Sequence, residues 1–261
     1  MRSRRRFLAA MTTAGLLTSS VLMGVQFGAA AQDATPMQTA NMGNCVTALG
    51  IGMEGDACVN IIHASPDAPA VDVYVDGAEA LSDLAFGTAS GWVALPAGEH
   101  QVQVTAADAA IDTAVIDAML TLEAGAAYEV AATGLLADIT PIVNQTDLSE
   151  FSTDAEPMAR ARVIHASPDA PAVDVAVKGG DVLIENLAFP DASDYLVVPA
   201  ASYDLEVRPT GTEDVALDLP GVALDAGTVY SIYAIGQVGD GSLTVLPVTA
   251  TTVTPMATPT A

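Results

Sequence analysis

Histidine, serine and aspartate side chains stand two residues apart in an eleven-residue block, HASPDAPAVDV, that occurs twice, at 63–73 and at 165–175. The three side chains are His63, Ser65 and Asp67 in the first copy and His165, Ser167 and Asp169 in the second. Histidine with serine and a carboxylate is the set of groups that many hydrolases use, and carboxylates in a turn can bind calcium. A site of either kind has to be possible in both copies.

The spacing argues against both chemistries. Side chains two residues apart in one turn cannot usually place serine, histidine and carboxylate in line, and no separate oxyanion donor is indicated. Calcium binding by Asp67 and Asp72 is conceivable, but the sequence lacks the ligand pattern D-x-[DN]-x-[DN]-G. We therefore predict a structural motif, in which each histidine is buried at a strand end and hydrogen-bonds the following turn. Its other members are Pro66, Pro69 and Asp72 in the first copy and Pro168, Pro171 and Asp174 in the second.

The third histidine and the two cysteines also receive structural assignments. His100 aligns with Tyr203 of the second copy, and a position that accepts tyrosine suits a packed ring with a polar tip better than a metal ligand. Cys45 and Cys58 fit no zinc spacing, and in an exported protein such a pair predicts a disulfide. We expect no cofactor, with calcium at the acidic turns as the alternative.

Short apolar runs separated by turn residues indicate the fold. In the first copy Val71, Val73 and Val75 alternate with polar residues, as in a half-buried strand. Similar runs follow at spacings of roughly ten residues, which predicts two tandem antiparallel, immunoglobulin-like Greek-key β-sandwiches in an all-β chain. The sequence L-x-A-G-x-x-Y ends at Tyr128 and again at Tyr230, two candidates for the tyrosine corner of such sandwiches. Only the run 114–122 could instead be a short helix.

The first 31 residues resemble an export signal. Residues 3–8 read SRRRFL, the twin-arginine pattern; an apolar run follows, and Ala29-Ala30-Ala31 provides a small-residue cleavage site. Retention of the run as a membrane anchor is the alternative, and no other stretch could span a bilayer. We expect a secreted or cell-envelope protein that has no membrane span once the signal is cleaved.

Charge narrows the choice of partners. Four of the eight basic residues lie in the export segment, which leaves four against 32 acidic residues. Such an acidic surface repels phosphate backbones, so nucleic acid and anionic lipid are not expected partners. A solvated acidic coat is the simplest interpretation, although the surface could also attract divalent cations or basic partners.

The repeats also set the domain boundaries. We predict a signal at 1–31, a leading segment at 32–57, sandwiches at 58–148 and 160–248 with a linker at 149–159, and a disordered Thr/Pro tail at 249–261. The short linker implies that the two domains are close neighbours.

The repeated block carries a family resemblance as well. HASPDAPAVDV, followed by an Asp-Gly or Lys-Gly turn and later by LPAG or VPAA, resembles the hallmark of the bacterial secreted family known as domain of unknown function 4397. Both copies carry this pattern, although the first departs from its commoner form at His100 and the second at Ala201. The resemblance implies an extracytoplasmic β-sandwich module, often in tandem, with no established activity and no catalytic residues to transfer.

Three functions remain open from the sequence. The first is a non-enzymatic module of the cell envelope, either structural or binding a protein or glycan. The second is a calcium-dependent binding domain that uses the SPDAP turns. The third is a hydrolase, which would need reactive groups that the shared positions of the two copies do not supply.

Overall fold

The computed structural model describes residues 43–153 and 155–252. The predicted signal, residues 32–42 of the leading segment and residues 253–261 of the predicted tail lie outside these ranges. The described chain begins with a one-turn helix, α1 (Cys45–Leu49), whose first turn is capped by the side chain of Asn44. A disulfide joins Cys45 to Cys58, which confirms the predicted pairing and ties α1 to the first strand.

The first repeat consists of nine strands and two short 3-10 turns. The strands are β1 (Asp56–His63), β2 (Val71–Val75), β3 (Ala78–Leu84), β4 (Thr88–Ala89), β5 (Val93–Pro96), β6 (Gly98–Ala106), β7 (Ile116–Leu122), β8 (Ala127–Thr133) and β9 (Thr140–Thr146). The 3-10 turns are Ile111–Thr113 and Leu136–Asp138. The run that could have been a helix is therefore a turn followed by a strand, in which Ile116 and Leu122 face the core.

The second repeat has the same plan with eight strands. They are β10 (Met158–His165), β11 (Val173–Val177), β12 (Val182–Leu187), β13 (Leu196–Pro199), β14 (Ala201–Pro209), β15 (Leu217–Leu224), β16 (Thr228–Ile235) and β17 (Thr244–Thr251). Two strands extend past the predicted limits of the second sandwich. β10 begins before residue 160, and β17 extends into the predicted tail because Thr251 pairs with Thr228 of β16.

Each repeat is a sandwich of two sheets, so the all-β sandwich prediction is confirmed. In the first repeat, β4 and β5 share one edge of β1, followed by β8 and β9, and the facing sheet has the order β3-β2-β6-β7. The second repeat has the orders β13-β10-β16-β17 and β12-β11-β14-β15. β1 runs parallel to β8, and β10 runs parallel to β16, whereas the other pairs are antiparallel.

The strand order differs in detail from the immunoglobulin-like prediction. In an immunoglobulin constant domain the first two strands share a sheet, whereas here β1 and β2 lie in opposite sheets. The cause is the SPDAP turn after His63, which carries the chain across the sandwich. The antiparallel prediction is likewise wrong for the central pair of one sheet in each repeat.

The core of the first sandwich lies between its two sheets. Val59 and Ile61 of β1 pack with Val73 of β2, Val104 of β6 and Val130 of β8. In every strand named, alternate residues point inward, as the period-two pattern requires. The second sandwich has equivalent apolar clusters between its sheets.

The other face of β1 and β8 is buried too, because the two repeats pack together. Ile62 and Ala131 of the first repeat join Ile164, Tyr233 and Val248 of the second in one apolar cluster. Every described residue belongs to one compact unit. None of the helices in the described ranges is long and apolar enough to cross a membrane.

Candidate functional site

The histidine of each duplicated block lies inside its sandwich. His63 is 0% exposed and His165 is 1% exposed. The Nε2–H group of His63 donates to the carbonyl of Pro69 at 2.8 Å, and the backbone N–H of Ser65 points to its Nδ1 at 3.4 Å. In the second copy the corresponding distances are 3.1 Å to Pro171 and 3.4 Å from the N–H of Ser167. Backbone groups therefore occupy both nitrogens of each ring.

These contacts fix the chemistry of the ring. Because a carbonyl oxygen only accepts, Nε2 carries the proton and Nδ1 is the acceptor. Burial lowers the pKa of His63, and the hydrogen bond to Pro69 opposes that shift without cancelling it. The ring packs edge-on against Phe86, with 6.1 Å between the centroids, and His165 packs similarly against Phe189.

The serine hydroxyls are not directed at the imidazoles. The hydroxyl of Ser167 donates to the carbonyl of Gly236 at 2.8 Å, while Ser65 is fully buried and only its backbone N–H contacts the histidine. The Ser–His–Asp proton path of a hydrolytic triad is therefore not formed in either block.

The turn aspartates bind backbone N–H groups of a distant loop. Asp67 accepts from Leu136 at 2.7 Å. Asp169 accepts from Val238 and Gly239, both at 2.8 Å. Each aspartate thereby ties the SPDAP turn to the loop that follows the parallel strand, β8 or β16. Pro66 and Pro168 lie in the turns themselves, where a proline needs no ladder hydrogen bond.

The second aspartate of each block holds two further turns. Asp72 accepts from the N–H groups of Asp83 and Asp108, both at 2.9 Å. Asp174 accepts from Asn186 and Gly211, and from the hydroxyl of Thr210. The hydrogen bond from Asn186 contributes most to a pKa of Asp174 below its ordinary value.

Asp83, Asp108 and Asn186 all adopt positive φ angles, between 52° and 61°. Such conformations are costly for residues other than glycine, and the aspartate hydrogen bonds stabilise them.

The two motif tyrosines also bind backbone. The hydroxyl of Tyr128 accepts from the N–H of Glu123 at 3.1 Å, and that of Tyr230 accepts from the N–H of Asp225 at 2.9 Å. Each hydroxyl thus closes the turn that opens its own strand.

His100 and Tyr203 make the same contact in the two repeats. His100 donates through Nε2 to the carbonyl of Pro96 at 2.8 Å, and the Tyr203 hydroxyl donates to Pro199 at 2.7 Å. His100 also contacts Asp76, with 2.7 Å between Nδ1 and Oδ2, and this bond raises the pKa of His100. Among the described residues, no three His, Cys, Asp or Glu side chains are grouped so that they could hold a metal ion.

The outer face of the β3-β2-β6-β7 sheet carries polar groups that the sequence alone does not indicate. Tyr74, Gln103 and Asp117 stand opposite one another on β2, β6 and β7, and we call these three residues the polar row. The side-chain amides of Gln101 and Gln103 donate to Asp117 at 2.8 and 3.2 Å. The alternation Val102-Gln103-Val104 indicated that the Gln103 side chain points outward. It could not show that Gln103 lies beside Tyr74 and Asp117, because that depends on the pairing of three strands.

The equivalent positions of the second repeat form ion pairs instead. Ala176, Glu206 and Asp218 occupy the register positions of the polar row. Arg208 is bonded to Glu206, and Lys178 lies 2.7 Å from Asp218. No Lys or Arg occurs between residues 58 and 148, so the outer face of the first repeat has no such pairs of its own.

A family model described as "Domain of unknown function (DUF4397)" matches residues 57–156 and again 159–260. No curated protein matches the sequence. Two solved structures are similar at 10% and 12% identity: a family CBM26 module from Eubacterium rectale Amy13K in complex with maltoheptaose, and a candidate cell adhesion protein from Parabacteroides distasonis. They cover 73% and 71% of this chain and 95% and 93% of their own, with TM-scores of 0.23 and 0.21. At these TM-scores neither likeness bears on the ligand of this chain.

Proposed function

The chain belongs to the DUF4397 family, and we propose that it is an exported, non-enzymatic module of the cell envelope that binds a protein or a glycan. The name of the family states no activity, so the support comes from this chain. The twin-arginine pattern and the Cys45–Cys58 disulfide support an extracytoplasmic location, because disulfides persist in oxidising compartments.

The proposal rests on one observation: the histidines and aspartates of the duplicated block are bound to backbone groups of the protein itself. Both imidazoles are buried with backbone partners at both nitrogens, and all four block aspartates accept from backbone N–H groups. A catalytic block would instead present at least one of these groups to a substrate. The two histidines make the same backbone contacts in both copies, which supports a role in folding.

A ligand would then bind to a surface that the packing of the two repeats leaves exposed. The two repeats cover each other through β1, β8, β10 and β16, so the outer face of the β3-β2-β6-β7 sheet remains available. The polar row combines a tyrosine, an amide and a carboxylate, groups that can stack on a ligand and hydrogen-bond hydroxyls or peptide groups. We propose this row as the centre of the binding surface.

The proposal can be tested with the mature chain and a paired variant. Immobilised protein is incubated with envelope polysaccharide fractions and, separately, with detergent-solubilised envelope proteins from the producing cells. Tyr74→Ala combined with Gln103→Ala should reduce capture of the bound species at least tenfold. The matched control, Lys178→Ala with Asp218→Ala on the second repeat, should capture as much as the unchanged chain.

Equal capture by both variants would refute the polar row as the binding surface. Turnover of an ester, peptide or glycosidic substrate that disappears in His63→Ala and His165→Ala would refute the non-enzymatic assignment, and would restore the hydrolase alternative. Each variant, including the two histidine variants, is compared with the unchanged chain by circular dichroism so that loss of fold is recognised.

A further inference from the structure

The two repeats dock through equivalent faces. Ile62 and Ala64 of β1 and its following turn correspond to Ile164 and Ala166 one repeat later, and all four lie in the same buried cluster. An interface in which each partner uses the same patch resembles the isologous contact of a symmetric dimer. Such a face could in principle also accept a second copy of the same repeat.

The polar centre of this interface is not symmetric. Glu129 of β8 is 1% exposed and Arg162 of β10 is 5% exposed, with Oε2 and Nη2 3.3 Å apart. The hydroxyl of Tyr233 donates to Oε2 of Glu129 at 2.9 Å, and the hydroxyl of Thr146 donates to Oε1 at 3.1 Å. The carboxylate of the first repeat is therefore bound by groups from both repeats.

The guanidinium is equally well bound. Its Nε donates to the hydroxyl of Ser231 at 2.9 Å, and its Nη1 donates to the carbonyl of Gln145 at 2.9 Å. It also lies 4.7 Å from the centroid of the Tyr195 ring. The buried charges are thus paired and hydrogen-bonded, which a desolvated ion pair requires.

The repeat alignment shows what other pairings would bury. Asn60 stands beside Glu129 in the first repeat, and one repeat later the same two positions hold Arg162 and Ser231. Two first repeats docked in this way would bury two carboxylates without a cation. Two second repeats would bury two guanidinium groups without an anion, and an unpaired buried charge is strongly unfavourable.

We propose that the outer face of β1 and β8 is a docking surface specific for the second repeat, so that a first repeat released from its own partner pairs with the second repeat of a neighbouring copy. Glu129 and Arg162 set this specificity by excluding like-with-like pairing. The aromatic contacts also differ between the two repeats, because Trp92 of the first repeat donates to the carbonyl of Thr249, whereas its counterpart Tyr195 packs on Arg162.

The test uses full-length mature chains with opposite charge reversals. Glu129→Arg places two cations at the centre of the interface, and Arg162→Glu places two carboxylates there, so neither chain can dock its own repeats. On mixing, the altered first repeat of one chain complements the altered second repeat of the other. Sedimentation velocity should show each variant alone as a monomer with an expanded frictional ratio, and the equimolar mixture as a dimer.

A matched control uses an ion pair outside the interface. Lys178→Glu and Asp218→Lys reverse an exposed pair on the far sheet of the second repeat, and these chains should stay compact monomers alone and when mixed. A mixture of the two interface variants that contains only monomers would overturn the proposal. Dimers formed by either interface variant alone would overturn it as well.

A second measurement decides the matter if a single reversal prevents folding. The exchanged chain, carrying both Glu129→Arg and Arg162→Glu, restores one cation and one carboxylate to the interface. Its melting temperature should recover at least half of the loss caused by the more damaging single change. An exchanged chain no more stable than that single variant would refute the pairing rule.

Discussion

Replacing His63 by alanine should strongly lower the free energy of unfolding, although it leaves the exposed surface of the protein unchanged. The imidazole is 0% exposed, and its Nε2–H group is the partner of the Pro69 carbonyl. Removing a large buried side chain costs about 2–5 kcal/mol through lost contacts and the remaining cavity. Losing the partly buried hydrogen bond to the Pro69 carbonyl adds about 1 kcal/mol. A total near 4 kcal/mol corresponds to a fall in Tm of roughly 10 °C for a cooperative unit of this size.

Differential scanning calorimetry of the mature chain measures this effect, and the second copy replicates it. His165→Ala should lower Tm by a comparable amount, because His165 is equally buried and makes the equivalent bond to Pro171. His100→Ala provides the control, since this ring lies near the surface, and its effect should be much smaller. Unchanged Tm values in both buried variants would refute the structural interpretation of the block.

Three further outcomes are expected. In an imidazole NMR titration His63 should protonate below about 6.5 and His100 above it, because burial lowers the first pKa and the bond to Asp76 raises the second. Stability from His63 is then lost as pH falls below about 6.5, and stability from His100 is lost as pH rises through its folded pKa; reversed shifts would contradict both assignments. Calcium followed by chelator should leave Tm unchanged, because the turn carboxylates already accept from backbone N–H groups; a shift of several degrees would favour the calcium alternative. Replacing Cys45 and Cys58 by alanine should cost about 3 kcal/mol in denaturant unfolding, and an unchanged midpoint would show that the bridge does not constrain the chain.

Local patterns were enough to predict the strands and the domain duplication. Val71, Val73 and Val75 alternate with polar residues because one face of β2 packs inward, and the same pattern recurs one repeat later. Strand order was harder to predict. The pairing of β1 with β8 joins segments about 70 residues apart and depends on where the intervening turns direct the chain.

Neither the ion pair between the two repeats nor the polar row could be predicted from the sequence. Glu129 is the one charged residue of its strand, and Arg162 is one of only four basic residues outside the export segment. Each residue was unusual by itself, but the two meet only when both repeats are folded and packed. The polar row depends likewise on the register of three strands, which alternation within one strand does not define.

Chemical modification of the histidines tests the central claim, that the duplicated block stabilises the fold and is not a reactive site. The folded mature chain is treated with diethyl pyrocarbonate, and each histidine is followed by peptide mass spectrometry. His100, whose side chain is 12% exposed, should be modified first, while His63 and His165 should react only after the protein is unfolded in denaturant. Modification of His63 or His165 in the folded protein as fast as that of His100 would contradict the account.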